Sequence, residues 1–328
     1  MRSWPAFEGG SGKGVFAFVA HVSEDREEPF IRLPYVPWPN GGIVLWGDGT
    51  KTDVAPTATE ASFSHVYSEA GDYSVYMVGI AGQIKRPINS FPKRFLTPLP
   101  ETVSITPYET AGWFYLQDEL ESIIPGFFDK ADITVKSDIR NLFSGCYNLT
   151  EIPEGLFAPF EGKIIYADRA FMDCGRDANR PLTIPADLLK DCTKLRSAAS
   201  LFSNANVEVI PESLLQDCYA LRDANGMFSS QVNWVDGIRE IPADLLVNCP
   251  DLMNVNSMFR YLRNLTSIPS GLFRNNPNIT DFRNTFADCT ALTYAPELWD
   301  LYPNARGDNC FLRCTNASNY DQIPSDWK

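Results

Sequence analysis

Three groups of residues in this chain could do chemistry. Asp48, His65 and Asp72 combine carboxylates with an imidazole, a set that can relay protons or, with enough oxygen ligands, hold a cation. The Gly47-Asp48-Gly49 turn lacks the ring of oxygens a dedicated cation site needs, and the other histidine, His21, is distant from His65 along the chain. The second group is eight cysteines: Cys146, Cys174, Cys192, Cys218, Cys249, Cys289, Cys310 and Cys314. Zinc requires paired ligands of the Cys-x-x-Cys kind at matching spacing, and the sequence has none. The third group is acidic pairs, Asp118-Glu119 and Glu151 with Glu154, which would suit hydrolysis by two carboxylates. With 41 acidic against 28 basic residues, such pairs read as a solvated face. No nucleophile elbow, phosphate loop or histidine-rich metal motif is present. The expectation is a non-enzymatic chain with no cofactor and no metal, a carboxylate-based hydrolase being the remote alternative.

The cysteines belong to a repeated phrase, which shows what must position them. Leu142-Phe143-x-x-Cys146-x-x-Leu149 returns at Leu188-Leu189-x-x-Cys192, Leu214-Leu215-x-x-Cys218, Leu245-Leu246-x-x-Cys249 and Thr285-Phe286-x-x-Cys289. Its second apolar residue recurs at Phe143, Phe157, Phe171, Leu189, Phe202, Leu215 and Phe228 and onward to Phe311. Units this short cannot bury their own apolar faces, so successive units must stack as a solenoid. A second marker doubles the period: Pro153, Pro185, Pro211, Pro242, Pro269 and Pro324 each follow isoleucine, and Pro296 stands in register. Proline suits the first turn of a helix and biases the residue before it to extended backbone. Each coil of about 27 residues, within the range of known repeat units, is therefore expected to run extended segment, short helix, extended segment, short helix. Cys146, Cys174, Cys192, Cys218, Cys249, Cys289 and Cys314 then form a ladder of small buried residues; Cys310 falls outside the phrase, and a capping disulfide with Cys314 is the alternative. Residues 175–180 and 231–236 lengthen two steps and should protrude as loops.

Residues 15–84 read differently. Alternating segments around residues 15–21, 30–36, 43–50, 61–67 and 71–78, broken by Gly- and Asp-rich turns, predict a small antiparallel β-sandwich. Trp46-Gly47-Asp48-Gly49, followed by His65-x-Tyr67-x-x-x-Gly71-x-Tyr73, resembles the immunoglobulin-like module of polycystic-kidney-disease (PKD) type. That resemblance implies structural roles: Trp46 in the core, Asp48 and Gly49 in a tight turn, and Tyr67 and Tyr73 on the following strands, with His65 and Gly71 part of the same pattern. Residues 1–14 are expected to be a flexible arm carrying Trp4 and Phe7, residues 85–112 a stiff proline-rich connector, residues 113–137 a cap, and residues 138–328 the solenoid.

The whole arrangement resembles the BspA-like leucine-rich-repeat surface proteins of gut and oral bacteria and the related chains of their bacteriophages. The resemblance implies a two-domain fold, an all-β immunoglobulin-like sandwich followed by an α/β leucine-rich-repeat-type solenoid. It also implies adhesion or partner recognition rather than catalysis. The first residues lack the apolar core of a secretory signal, which points to a virion protein assembled in the host cytoplasm, with a bacterial cell-surface adhesin as the alternative. Expected partners are other virion proteins, or a host-surface protein or glycan, with the N-terminal arm or domain able to mediate oligomers. A net charge of −13 argues against nucleic acid, and no apolar run reaches the length of a membrane span. Side by side on stacked extended segments, Arg196, Arg222, Arg239, Thr266, Thr280 and Tyr294 form a candidate binding stripe, and Trp234 in the longer loop is a candidate aromatic contact.

Overall fold

A computed structural model describes residues 14–22, 30–33, 38–56, 64–83, 92–105, 112, 114–133, 137–178, 180–230 and 237–328. The arm up to residue 13, residues 84–91, and the loop at 231–236 with Trp234 fall outside the described residues. The strands are β1 (Gly14–Val22), β2 (Phe30–Arg32), β3 (Gly42–Leu45), β4 (Lys51–Val54), β5 (Ser64–Val66), β6 (Gly71–Ile80), β7 (Gly82–Gln83), β8 (Pro92–Phe95), β9 (Val103–Ile105) and β10 (Asp132–Ile133). One antiparallel sheet has the order β4-β3-β6-β1-β8, and β2 pairs separately with β5. Phe16, Phe18, Ala20 and Val22 alternate along β1 and are buried with Trp38, Trp46 and Tyr67, because a strand presents every second side chain to one face.

The segment read as a connector contributes β8, which pairs with β1 through Phe18↔Phe95 and Val19↔Arg94. Its other edge continues the hydrogen-bonded order out of the sheet: Arg94↔Ser122, Ser122↔Glu151 and Glu151↔Thr183 are parallel bridges in successive coils. Phe95 sits 5.3 Å from Phe114 and 4.4 Å from Phe127, ring centre to ring centre. Sheet and coils thus share one core.

The expected α/β solenoid is corrected. The coils stack, but they contain almost no helix: among the described residues there are only the 3-10 turns Ala158–Phe160 and Tyr320–Gln322 and one α-helical turn, Leu298–Leu301. The N-terminal part presents one five-stranded antiparallel sheet and a separate two-stranded ribbon, and β7, β9 and β10 form a small parallel sheet in the order β10-β9-β7. The physical reason for the missing helices lies in residues 139–146. Ile139, Asn141, Phe143 and Gly145 donate N–H to Tyr166, Asp168, Ala170 and Met172 of the next coil, at 2.8–2.9 Å. Between them, Leu142, Ser144 and Cys146 donate to the carbonyl three residues back. Alternate N–H groups therefore leave the segment, whereas a helix keeps them all within it.

Left-handed residues impose that alternation. Asn141 (φ 56°) and Gly145 (φ 77°) flank the Leu142-Phe143 pair, as Arg169 and Asp173 flank Phe171, and Asn284 and Asp288 flank Phe286. Two such residues four apart leave no room for a run of right-handed helical backbone, and they form the third position of type II turns, where Gly and Asn are favoured. The same pattern of outgoing bonds recurs in each coil through Phe311, whose N–H donates to Trp327 O. A column of parallel bridges, Asp138↔Tyr166↔Ser197↔Asp223↔Asn254↔Asp281↔Arg306, keeps successive coils in register.

The apolar pair does what the phrase requires. Phe114, Phe143, Phe171, Phe202, Phe228, Phe259, Phe286 and Phe311 stack with centroids 4.9–5.9 Å apart and planes within 12°. That separation is one coil spacing, slightly offset, a favourable arrangement for rings that would repel if perfectly eclipsed. Burying each ring contributes about 1.5–3 kcal/mol.

Candidate binding surface

All eight cysteines are free and buried. Cys146, Cys174, Cys289 and Cys314 each donate Sγ–H to the carbonyl of the ladder phenylalanine one coil earlier, Phe114, Phe143, Phe259 and Phe286, at 3.1–3.2 Å. A small residue at this position must fit the core and reach a buried carbonyl, and a thiol does both. In the other half of the coil Cys249 faces Leu215 O at 3.9 Å. In the next two coils Asn276 reaches Leu246 O at 2.9 Å and Tyr302 reaches Phe273 O at 2.7 Å, stronger donors serving the equivalent carbonyl. Burial pushes the Cys192 and Cys249 thiols up to about 12. Such thiols are poor nucleophiles. No group of three or more metal-ligating side chains occurs among the described residues.

Asp48, His65 and Asp72 are not brought together as one set. His65 Nε2 lies 2.6 Å from Asp48 Oδ2, while Asp72 Oδ1 lies 2.7 Å from His21 Nδ1 and its Oδ2 accepts from Lys93 at 3.1 Å. Asp48 also accepts from the Thr50 N–H and hydroxyl. Burial pushes the Asp48 carboxyl up, but the bonds from Thr50 and His65 prevail and hold it below the usual carboxylate range. His65 stacks on Trp46 with ring centres 4.8 Å apart, and the Tyr67 hydroxyl donates to Trp46 O at 2.8 Å. Gly49, at φ 97°, closes the turn. Tyr73 packs 3.9 Å from Tyr67, and Gly71 opens β6. These bonds close the turn on itself through Thr50, tie it to β5 through His65, and join β6 to β1 and β8 through Asp72.

The predicted stripe divides into two. Arg222 N–H donates to Arg196 O at 3.0 Å, Met253 N–H to Arg222 O at 2.9 Å and Thr280 N–H to Met253 O at 2.9 Å, so Arg196, Arg222 and Thr280 follow one another on one edge, all exposed. Thr266 belongs to the other edge, where its carbonyl accepts from the Thr293 N–H and hydroxyl and brings Tyr294 alongside. Arg239 lines a separate groove of about 560 Å3 with Glu208, Val209 and Glu240.

The first edge holds a feature that the pattern of the sequence had not singled out. A groove of about 650 Å3 is lined by Arg222, Asp251, Met253, Thr280, Leu301 and Ala305, among others. Met253 is 45% and Leu301 67% exposed. Arg222 and Asp251 stand 3.7 Å apart at its rim. The signal for Met253 was available, since it occupies the position held by Arg196, Arg222 and Thr280 in neighbouring coils. Leu301 ends the α-helical turn Leu298–Leu301, a local departure from the coil pattern. An apolar floor with a charged rim can take a partner segment by contact and hydrogen bonding, without covalent chemistry.

No family model, curated protein or solved structure matches this chain.

Proposed function

We propose that this chain is a non-enzymatic binding or structural protein of a bacteriophage particle, presenting a stacked-coil surface to another virion protein or to a host-surface protein or glycan. The observation that carries the reading is the edge of Arg196, Arg222, Met253 and Thr280. Its exposed side chains are held in line by consecutive backbone bonds and run into the 650 Å3 groove. A rigid row of this kind engages an extended partner with little ordering cost. Eight unpaired, buried thiols suit folding in a reducing cytoplasm, where virion proteins assemble. The resemblance of the repeat phrase to BspA-like surface proteins and their phage relatives gives the same direction.

Immunogold electron microscopy of the source culture, with an antibody against residues 138–328, tests the location. Gold on phage particles is the expected result; gold on cell envelopes would replace the virion reading with that of a cell-surface adhesin. Binding of the labelled protein to the same cells is the functional readout. Met253→Asp should reduce it severalfold without changing the far-ultraviolet spectrum, and equal binding by the variant would remove the groove from the reading.

A further inference from the structure

A second surface, on a different side of the coil, carries an unusual concentration of cations. Tyr261, Asp288 and Arg313 occupy equivalent positions in three successive coils, each with left-handed backbone (φ 66°, 64° and 60°). The ladder bonds Tyr261 N–H to Ala287 O and Asp288 N–H to Leu312 O set them one above another. Elsewhere the same position holds Gly145, Asp173 and Asn204, residue types that tolerate this conformation, and Leu116 (φ 56°) in the first coil. A tyrosine held there is strained, and strain of this kind persists where the surroundings over-determine it.

Two guanidinium groups share that one ring. The Arg260 carbon lies 4.6 Å and the Arg263 carbon 5.8 Å from its centre, so the two charges are within about a Debye length of each other. Arg313 adds a third, held 2.9 Å from Asp288 Oδ1. Arg260 and Arg263 beside Tyr261, with Arg313 beside Asp288, put three arginines and one carboxylate on neighbouring positions of the column, a local excess of positive charge on a chain whose net charge is −13. One arginine on a tyrosine is ordinary packing; two on one ring repel each other unless an anion joins them. Arg260 Nη2 reaches the Tyr261 hydroxyl at 3.2 Å, but its Nε is buried with no hydrogen-bond partner. Asp288 Oδ2 is likewise buried and unpartnered. Arg263 is exposed, and an exposed guanidinium in a cationic cluster offers its N–H groups to a charged acceptor.

We infer that Arg260, Tyr261, Arg263 and Arg313 form an oxyanion-binding site, suited to a sulfate or phosphate group either free or carried on a sugar. The guanidinium forks would supply the bonds and the tyrosine ring would hold the forks apart. This is independent of the groove at Met253, which lies beside the Asn254↔Asp281 bridge on another side of the coil.

The test is isothermal titration of the full-length protein at low ionic strength with three probes: a heparin-derived sulfated hexasaccharide, its desulfated counterpart and inorganic sulfate. The sulfated sugar should bind and the desulfated sugar should not. Sulfate binding as tightly as the sulfated sugar would assign the site to the free ion, and weaker sulfate binding would assign it to the glycan-borne group. Arg263→Gln should weaken binding by about tenfold, the loss of one charge-assisted bond. Tyr261→Gly should weaken it too while leaving the melting temperature unchanged or raised, because glycine relieves the left-handed strain; a ring needed only for packing would lower it. Absence of binding by both sulfate and the sulfated sugar would overturn the inference. Equal binding of the desulfated sugar, or unchanged affinity in Arg263→Gln, would do the same.

Discussion

Replacing Asn284 separates the turn ladder from the helix that the repeat phrase suggests. Asn284 has φ 54°, donates its N–H to Asp308 O at 3.1 Å and accepts from Ala287 N–H at 3.1 Å. Alanine in this left-handed conformation sets Cβ against the following carbonyl, at about 1–2 kcal/mol. Against glycine it recovers about 0.4–1 kcal/mol, because its unfolded chain has less entropy to lose. Asn284→Ala is therefore expected to be about 1 kcal/mol less stable than Asn284→Gly. In a helix interior the order reverses, with glycine about 1 kcal/mol worse than alanine. The two structures differ by about 2 kcal/mol in this comparison, well beyond the error of paired urea titrations at constant m-value. If Asn284→Ala proves equal to or more stable than Asn284→Gly, the left-handed turn reasoning is wrong for this coil, and with it the account of why the helices are missing.

Phe228→Ala, in the middle of the ring ladder, should cost about 3–5 kcal/mol. Because each coil contacts mainly its neighbours, the melt should broaden instead of simply shifting; hydrogen exchange that rises only in the coils next to Phe228 would show this, and a uniform rise would contradict it. Asp48 has its folded pKa depressed, so its contribution is present above the ordinary carboxylate value and is lost as pH falls through the lower folded value. The stability gap between the wild type and Asp48→Asn should therefore narrow below about pH 4, and a gap that stays constant through the acid range would contradict the assignment. Iodoacetamide at mildly alkaline pH, followed by mass spectrometry, should leave all eight thiols unmodified in the native protein and modify them after unfolding. Rapid native labelling of Cys192 or Cys249 would show that its burial is incomplete.

The repeat phrase was enough to establish that short units stack, because an apolar pair recurring at such close intervals has nothing to pack against within its own unit. Its cysteine position could be read as small and buried from period alone. What each unit becomes was not legible in the apolar spacing, since Leu-Phe followed by cysteine three residues on fits one face of a helix as well as it fits two consecutive turns. The distinguishing residues were in the sequence: Asn141, Gly145, Asp173, Asn204, Asn284 and Asp288 flank the pairs at positions where left-handed backbone is tolerated. Their meaning depends on the next coil, whose carbonyls accept the N–H groups that such backbone turns outward.

The polar stripe divided for a related reason. Arg196, Arg222 and Thr280 share an edge, and Thr266 and Tyr294 another, because each coil passes through extended backbone twice. Period alone does not say which pass a residue belongs to. The pairing of Asp72 with His21 was decided by strand register, with β1 antiparallel to β6 placing the two opposite each other, and that of Asp48 with His65 by the packing of the turn before β4 against β5. Sequence by itself determined that this chain stacks short units on a common core, since burial of recurring apolar side chains is a local demand with one kind of solution. Tertiary structure decided the backbone of those units and the company of each polar residue, because hydrogen bonds between coils depend on partners a whole coil away along the chain.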